Sequence, residues 1–205
     1  MDTRELRRQQ VAQRFVDCTC KVIEQEGVTG LNVRKVAQMA GYHSSTIYLY
    51  FADFPHLIVA AAMQFLDRYA AYLDANVPEQ ENALDCYLRC MARFCEFSVA
   101  NPNIFSALFV DSYGDIPPEQ VYGQFVQSPL LQDHIRVLGE LAAELALSQE
   151  TAKQLGDAVM SLCIGSILAL TRHRSQLPPD LMVEKTMQSV RGLIAYYSNQ
   201  QQGSL

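Results

Sequence analysis

Apolar residues return every three or four positions along almost the whole chain, and no segment alternates apolar with polar residues. A repeat near 3.6 predicts amphipathic helices, whereas a half-buried strand needs a repeat of two. The pattern predicts helices over about 3–26, 33–40, 43–51, 55–76, 83–100, 103–113, 129–147, 149–173 and 180–198. The punctuation between them agrees. Asn32 and Ser148 are residues that cap helix N-termini, and Gly41 can take the left-handed conformation that ends one. Val77-Pro78-Glu79 and Asn101-Pro102 interrupt the pattern, and Pro178-Pro179-Asp180 opens the last helix. The segment 114–128, with Pro117, Pro118 and Gly123, reads as a loop holding a short helical turn or two. The polar tail from Asn199 onward is expected to fray. The predicted class is all-α.

The run from Gly27 to Leu57 has the most unusual pattern. Behind the Asn32 cap, Leu31 and Val36 stand at the spacing of a hydrophobic staple. Val33, Val36, Ala37 and Ala40 share one face, while Arg34, Lys35 and Gln38 point elsewhere. After the break at Gly41-Tyr42, the next short helix has only Ile47 and Phe51 to bury. Ser44, Ser45, Thr46, Tyr48 and Tyr50 are left for the outside or the edges. Hydroxyls exchange hydrogen bonds with phosphate oxygens and base edges, and a threonine methyl can touch a thymine methyl. A surface helix with incidental hydroxyls would have the same local pattern, so spacing alone leaves both readings open.

Over residues 11–57 the chain resembles the DNA-binding domain of TetR-type bacterial transcriptional regulators. Phe15, Thr19, Val22, Ile23 and Gly27 match, then Val33, Arg34, Val36, Ala37, Ala40 and Gly41, then Thr46-Ile47-Tyr48-Leu49-Tyr50-Phe51 and Leu57. The resemblance implies an N-terminal three-helix helix-turn-helix DNA-binding domain, about 1–53, and a C-terminal helical ligand-binding and dimerisation domain, about 54–205. It implies a homodimer on near-palindromic double-stranded operator DNA, most often a repressor released by a small-molecule effector. The expected DNA-contacting residues are Arg34, Ser44, Ser45, Thr46, Tyr48 and Tyr50. Two positions depart from the family pattern. Phe54 stands where a phosphate-gripping lysine is usual, and His43 stands where a serine often caps the recognition helix. Arg4, Arg7 and Arg8 are candidates to supply the missing charge from a mobile arm.

Charge adjusts this picture. Residues 1–60 carry seven Lys or Arg against six Asp or Glu, and residues 61–205 carry nine against sixteen, so the net charge of −6 belongs to the second part. The local footprint is what meets a polyanion, and here it is weakly basic. Two subunits are therefore expected to be needed for useful affinity. The N-terminus lacks an apolar signal-like core, and no uncharged run of about 18 apolar residues occurs. The expectation is a cytoplasmic protein with no membrane partner. Six cysteines then read as reduced thiols that behave as small hydrophobes, with a thiol or metal sensor as the alternative. No zinc-site spacing is present, and neither a nucleophile elbow, a phosphate loop nor HExxH occurs, so no metal, cofactor or catalytic residue is expected.

The second part yields two further expectations. The stretch 155–170 is apolar nearly all round, with Gly156 and Gly165 inside it. A helix of that kind needs neighbours on both faces, which a four-helix bundle formed with a second copy supplies. Gly165, Val183, Met187, Val190 and Ile194 are the candidate dimer residues. An effector pocket is expected to draw on Phe94, Phe97, Phe105, Phe109, Tyr113, Phe125, Met160 and Cys163, with Arg93 or His134 fixing the ligand. Aromatic residues at helical spacing serve a plain core equally well. The default ligand is an apolar or aromatic small molecule.

Overall fold

The structure, a computed structural model, describes residues 2–74, 82–114 and 118–202, and those residues contain helices and no strand. The helices are α1 Thr3–Glu26, α2 Val33–Ala40, α3 Phe54–Asp74, α4 Ala83–Ala100, α5 Pro102–Phe109, α6 Pro118–Val126, α7 Pro129–Glu144, α8 Gln149–Thr171 and α9 Pro179–Gln202. The break expected at Val77-Pro78-Glu79 lies outside the described residues. Two compact units result: residues 1–70 with 101–129, and residues 71–100 with 130–205. Compactness thus divides the chain differently from a boundary at 53/54.

In the first unit, α1 presents Phe15, Val16, Cys18, Thr19, Cys20, Val22 and Ile23 to the core. Thr19 is buried without penalty because its hydroxyl donates to the Phe15 carbonyl at 2.9 Å. Val36, Ala37 and Ala40 of α2, Ile47, and Leu57, Ala61 and Phe65 of α3 complete that core at 0–1% exposure. Asp53 caps α3, accepting from the His56 N–H at 2.9 Å. Two expectations fail here. α5 ends at Phe109, short of 113, because Val110 leaves the helical region and the Val110 and Asp111 N–H groups both turn back to the Ser106 carbonyl. And 114–128 is more than a loop, since Pro118–Val126 forms two and a half turns with proline at its first position, where no N–H is needed.

In the second unit, α4, α8 and α9 pack on one another, joined by α7. Ser148 caps α8, accepting from the Thr151 N–H at 3.1 Å. Gly156 allows α7 to approach α8 closely, since a Cβ there would lie 2.7 Å from Leu138 Cδ2. The Glu144 carboxylate of α7 accepts from the Ala83 N–H at 3.2 Å, an anion at the N-terminus of α4 where the helix dipole favours it. α9 continues to Gln202, so the first part of the expected frayed tail is helical. α8 buries Leu155, Gly156, Val159, Cys163 and Ile167. Once a charge or two is tolerated in the window, α8 is long and apolar enough to cross a membrane by length and composition, and 28% of that stretch is buried within the chain.

Candidate nucleic-acid interface

The helix-turn-helix is built around one glycine. Asn32 caps α2, its side-chain oxygen accepting from the Lys35 N–H at 2.9 Å. At the other end Gly41 adopts φ 83°, ψ 29°, the left-handed region that L side chains avoid. The Tyr42 N–H then reaches the Ala37 carbonyl at 2.9 Å, and the Gly41 N–H reaches that of Gln38 at 3.1 Å. This Schellman pairing satisfies the last carbonyls of α2 and turns the chain at once. Tyr42 is held by Phe15, with ring centroids 5.3 Å apart.

The element after the turn differs from expectation. Ser44–Leu49 is a 3-10 helix rather than an α-helix reaching Phe51. The Thr46 N–H bonds to the His43 carbonyl and the Tyr50 N–H to that of Ile47, both at 3.0 Å. His43 supplies no side-chain cap. Six residues containing two serines and two β-branched residues gain little from α-helical propagation, so the tighter turn prevails. One residue anchors the element: Ile47 is wholly buried.

Around that anchor the candidate contacts fall into two groups. Arg34 and Ser45 are exposed, Tyr48 is 53% exposed, and Ser44 and Thr46 are partly exposed. Tyr50 is half-buried, its ring centroid 6.0 Å from that of Phe15, so part of its role is packing. Lys35 is engaged in an ion pair with Glu26. Arg34 occupies the first turn of α2, which has no acidic residue, although the dipole disfavours a cation there. Such a local conflict is common at functional positions. Reasoning from pattern overlooked Leu49, which is 70% exposed beside Tyr48, and Met39 at 41%. Both lie off the Ile47–Phe51 and Val36–Ala40 faces, and that signal was available. Arg4, Arg7 and Arg8 are not on an arm separate from the helix: α1 is continuous from Thr3, its first turn capped by Asp2. With Arg14 they lie on one face of α1, and the Arg14 guanidinium lies beside Gly41.

The ten pocket candidates divide between the units. Phe105, Phe109, Tyr113 and Phe125 belong to the first. There Phe105 lies 5.6 Å from Phe109 and Tyr113 lies 6.4 Å from Phe125, between ring centroids, and the Tyr113 hydroxyl donates to the Ala107 carbonyl. Arg93, Phe94, Phe97, His134, Met160 and Cys163 belong to the second. There Arg93 donates to the Tyr72 carbonyl at 2.9 Å and lies over the Tyr72 ring, a structural engagement at the end of α3. Phe97 packs on the same ring at 5.4 Å. Phe94 and Cys163 are buried, Met160 and His134 partly so. All six cysteines are free thiols, with Cys18, Cys20, Cys95 and Cys163 buried, and burial pushes the Cys20 thiol up to about 12.

The dimer candidates need correction. Val183, Val190 and Ile194 are 9%, 0% and 4% exposed within the single chain. They form the stripe by which α9 packs on its own α4 and α8, so they are core and not available to a partner. Met187 is partly exposed. Gly165 is exposed, with open space where a Cβ would stand, and the same holds for Gly192 on α9.

No family model matches the chain. A curated HTH-type transcriptional regulator from Haemophilus influenzae, itself uncharacterised, is 26% identical over 98 residues, or 48% of this chain. The chain spans about half the length of that relative, 52% of it. A TetR-family transcriptional regulator from Streptomyces coelicolor superposes with TM-score 0.67 at 17% identity, covering 90% of this chain and 83% of that one. The protein RolR, solved with the ligand resorcinol, superposes with TM-score 0.68 at 14% identity, covering 94% and 95%. The resemblance read from the Val33–Leu57 motif is therefore met by the architecture of nearly the whole chain, which has the fold of TetR-family transcriptional regulators.

Proposed function

We propose that the protein is a DNA-binding transcriptional regulator rather than an enzyme, a repressor that grips a near-palindromic operator as a homodimer and is released by a small-molecule effector. The observation that carries this reading is the 3-10 segment. Its single apolar anchor, Ile47, is wholly buried, and Ser45, Tyr48 and Leu49 project around it beside the exposed Arg34. Hydroxyls, a guanidinium and an apolar side chain together match the donors, acceptors and thymine methyls of a major groove. The arginine face of α1 suits the flanking phosphates. Two such heads, held by a dimer, would read half-sites about one helical turn apart, or a multiple of it. The dimer is assigned to the outer faces of α8 and α9, where the exposed Gly165 and Gly192 permit close helix approach. The likeness to RolR with resorcinol supports a small organic effector. An effector weakens DNA binding by preferring a conformation in which the heads are wrongly spaced.

The test is capture of genomic DNA fragments by the full chain, followed by mobility shift on the enriched sequence. Enrichment of fragments sharing an inverted repeat, lost with Arg34→Ala, supports the reading. Binding without sequence preference, indifferent to Arg34, refutes it.

A further inference from the structure

Among the described residues, the Tyr87 hydroxyl is the buried side-chain oxygen without a hydrogen-bond partner. The residue is wholly enclosed on α4. Other buried hydroxyls are satisfied: Tyr113 donates to the Ala107 carbonyl, and Thr186 to that of Met182 at 2.8 Å. Buried polar groups are normally paired, and an orphan needs an explanation. Three helices of the second unit converge near this one. His134, from α7, places its ring centroid 6.0 Å from that of Tyr87, tilted by 38°. Burial above all, and then Cys163 on α8 and Cys90 on α4, raise the Tyr87 phenol pKa, and Cys163 is hydrogen-bonded to Cys95.

The cluster is polar but uncharged. Desolvation holds both the Tyr87 phenol and the His134 imidazole in their neutral forms. The buried polar or charged side chains of the described residues are Thr19, Ser98, Ser128 and Thr186, none of them ionic. The Arg93 guanidinium is occupied at the Tyr72 carbonyl. A charged guest here would be desolvated without a counter-charge, which is prohibitive, whereas a neutral one loses only a polar contact that Tyr87 can replace.

We propose that the second unit binds a small, uncharged, mostly apolar molecule carrying one acceptor oxygen, which takes the hydrogen bond that Tyr87 Oη leaves unmade, with His134 beside it. The proposal rests on the reading of this unit as the effector-binding part, and it names the effector's chemical class and its anchor.

Acetophenone, benzoate and toluene are suitable probes, similar in size but respectively neutral with an acceptor, anionic, and without an acceptor. On the full chain, acetophenone should raise the melting temperature, toluene less, and benzoate not at all. Tyr87→Phe should melt no lower than wild type without ligand, because it removes an unsatisfied group. Its acetophenone affinity should fall about fivefold to tenfold, the worth of one hydrogen bond, to the level of toluene. A destabilised Tyr87→Phe would mean that the hydroxyl is already satisfied inside the protein and would overturn the proposal, as would benzoate matching acetophenone or no probe shifting the melt. DNA affinity separates the two readings. A Tyr87-dependent acetophenone shift that leaves operator binding unchanged sustains the site and defeats the effector role. Release of DNA by a compound acting equally on wild type and Tyr87→Phe sustains the effector role and defeats this site.

Discussion

At the scale of single residues, the most telling feature is a cation in an unfavourable place. Arg34 stands in the first turn of α2 with no acidic neighbour in that turn, so helix stability does not explain it, and contact with a phosphate or base is the role proposed for it. Arg34→Ala should lower operator affinity by about 1–3 kcal/mol if its contact is bidentate to guanine. Tyr48→Phe, which removes one exposed hydroxyl, should lose on the order of 1 kcal/mol. Titration of both variants on one operator fragment checks this, and unaltered affinity with the fold intact would remove both residues from the interface. Phe54 poses the opposite case. It is half-buried at the start of α3, where a lysine would add one phosphate contact per subunit. Phe54→Lys should steepen the dependence of log affinity on log salt by up to about two units per dimer, at about 0.9 per phosphate. It should do so on specific and nonspecific DNA alike, because phosphates carry no sequence. A lower melting temperature with an unchanged slope would instead make Phe54 a packing residue.

At the scale of elements, caps and turns decide where the reading segment sits. Asp53 accepts from the His56 N–H at 2.9 Å and lies 2.6 Å from His56 Nδ1. The backbone hydrogen bond, then that of the ring, holds its carboxyl below the usual carboxylate range. A carboxylate whose folded pKa is depressed stabilises the fold above its unfolded pKa, and that contribution disappears as pH falls through the folded value. Asp53→Asn keeps a capping oxygen but removes the charge. Its melting temperature should lie below wild type at neutral pH, and the gap should close as pH drops below the ordinary carboxylate range. A gap that stays constant with pH would mean that the charge contributes nothing and the cap acts through geometry alone.

At the scale of the whole molecule, assembly and stability should separate cleanly between two faces of the same helices. Gly165 faces open space, whereas Ile194 is 4% exposed inside its own chain. Gly165→Arg should convert a dimeric mass in light scattering to a monomeric one while leaving the fold intact. Ile194→Ala should cost about 2–5 kcal/mol of stability while the folded fraction keeps its assembly state. A monomeric wild type at micromolar concentration would refute the dimer.

The sequence by itself determined the helices whose ends rest on local chemistry. Periodicity placed α1, α2 and α4 at their observed limits, with Asn32 and Gly41 marking α2 and Asn101-Pro102 closing α4, since capping and backbone freedom act over a few residues. It also marked the helix-turn-helix, whose residue types are constrained by a tight turn and by a face left without core. What it left undecided depended on partners far along the chain. The stripe Val183–Val190–Ile194 is apolar at helical spacing, and that spacing suits a second copy as well as α4 and α8. Only their packing shows that the chain uses it for itself. The recognition segment became 3-10 because its short, poorly capped sequence is held by one buried isoleucine, a balance between weak propensity and tertiary anchoring. Tyr87 stands on α4 at 0% exposure like any core aromatic. That its hydroxyl is left unpaired, with His134 of α7 at hand, follows from three helices converging, and no spacing along one helix encodes it.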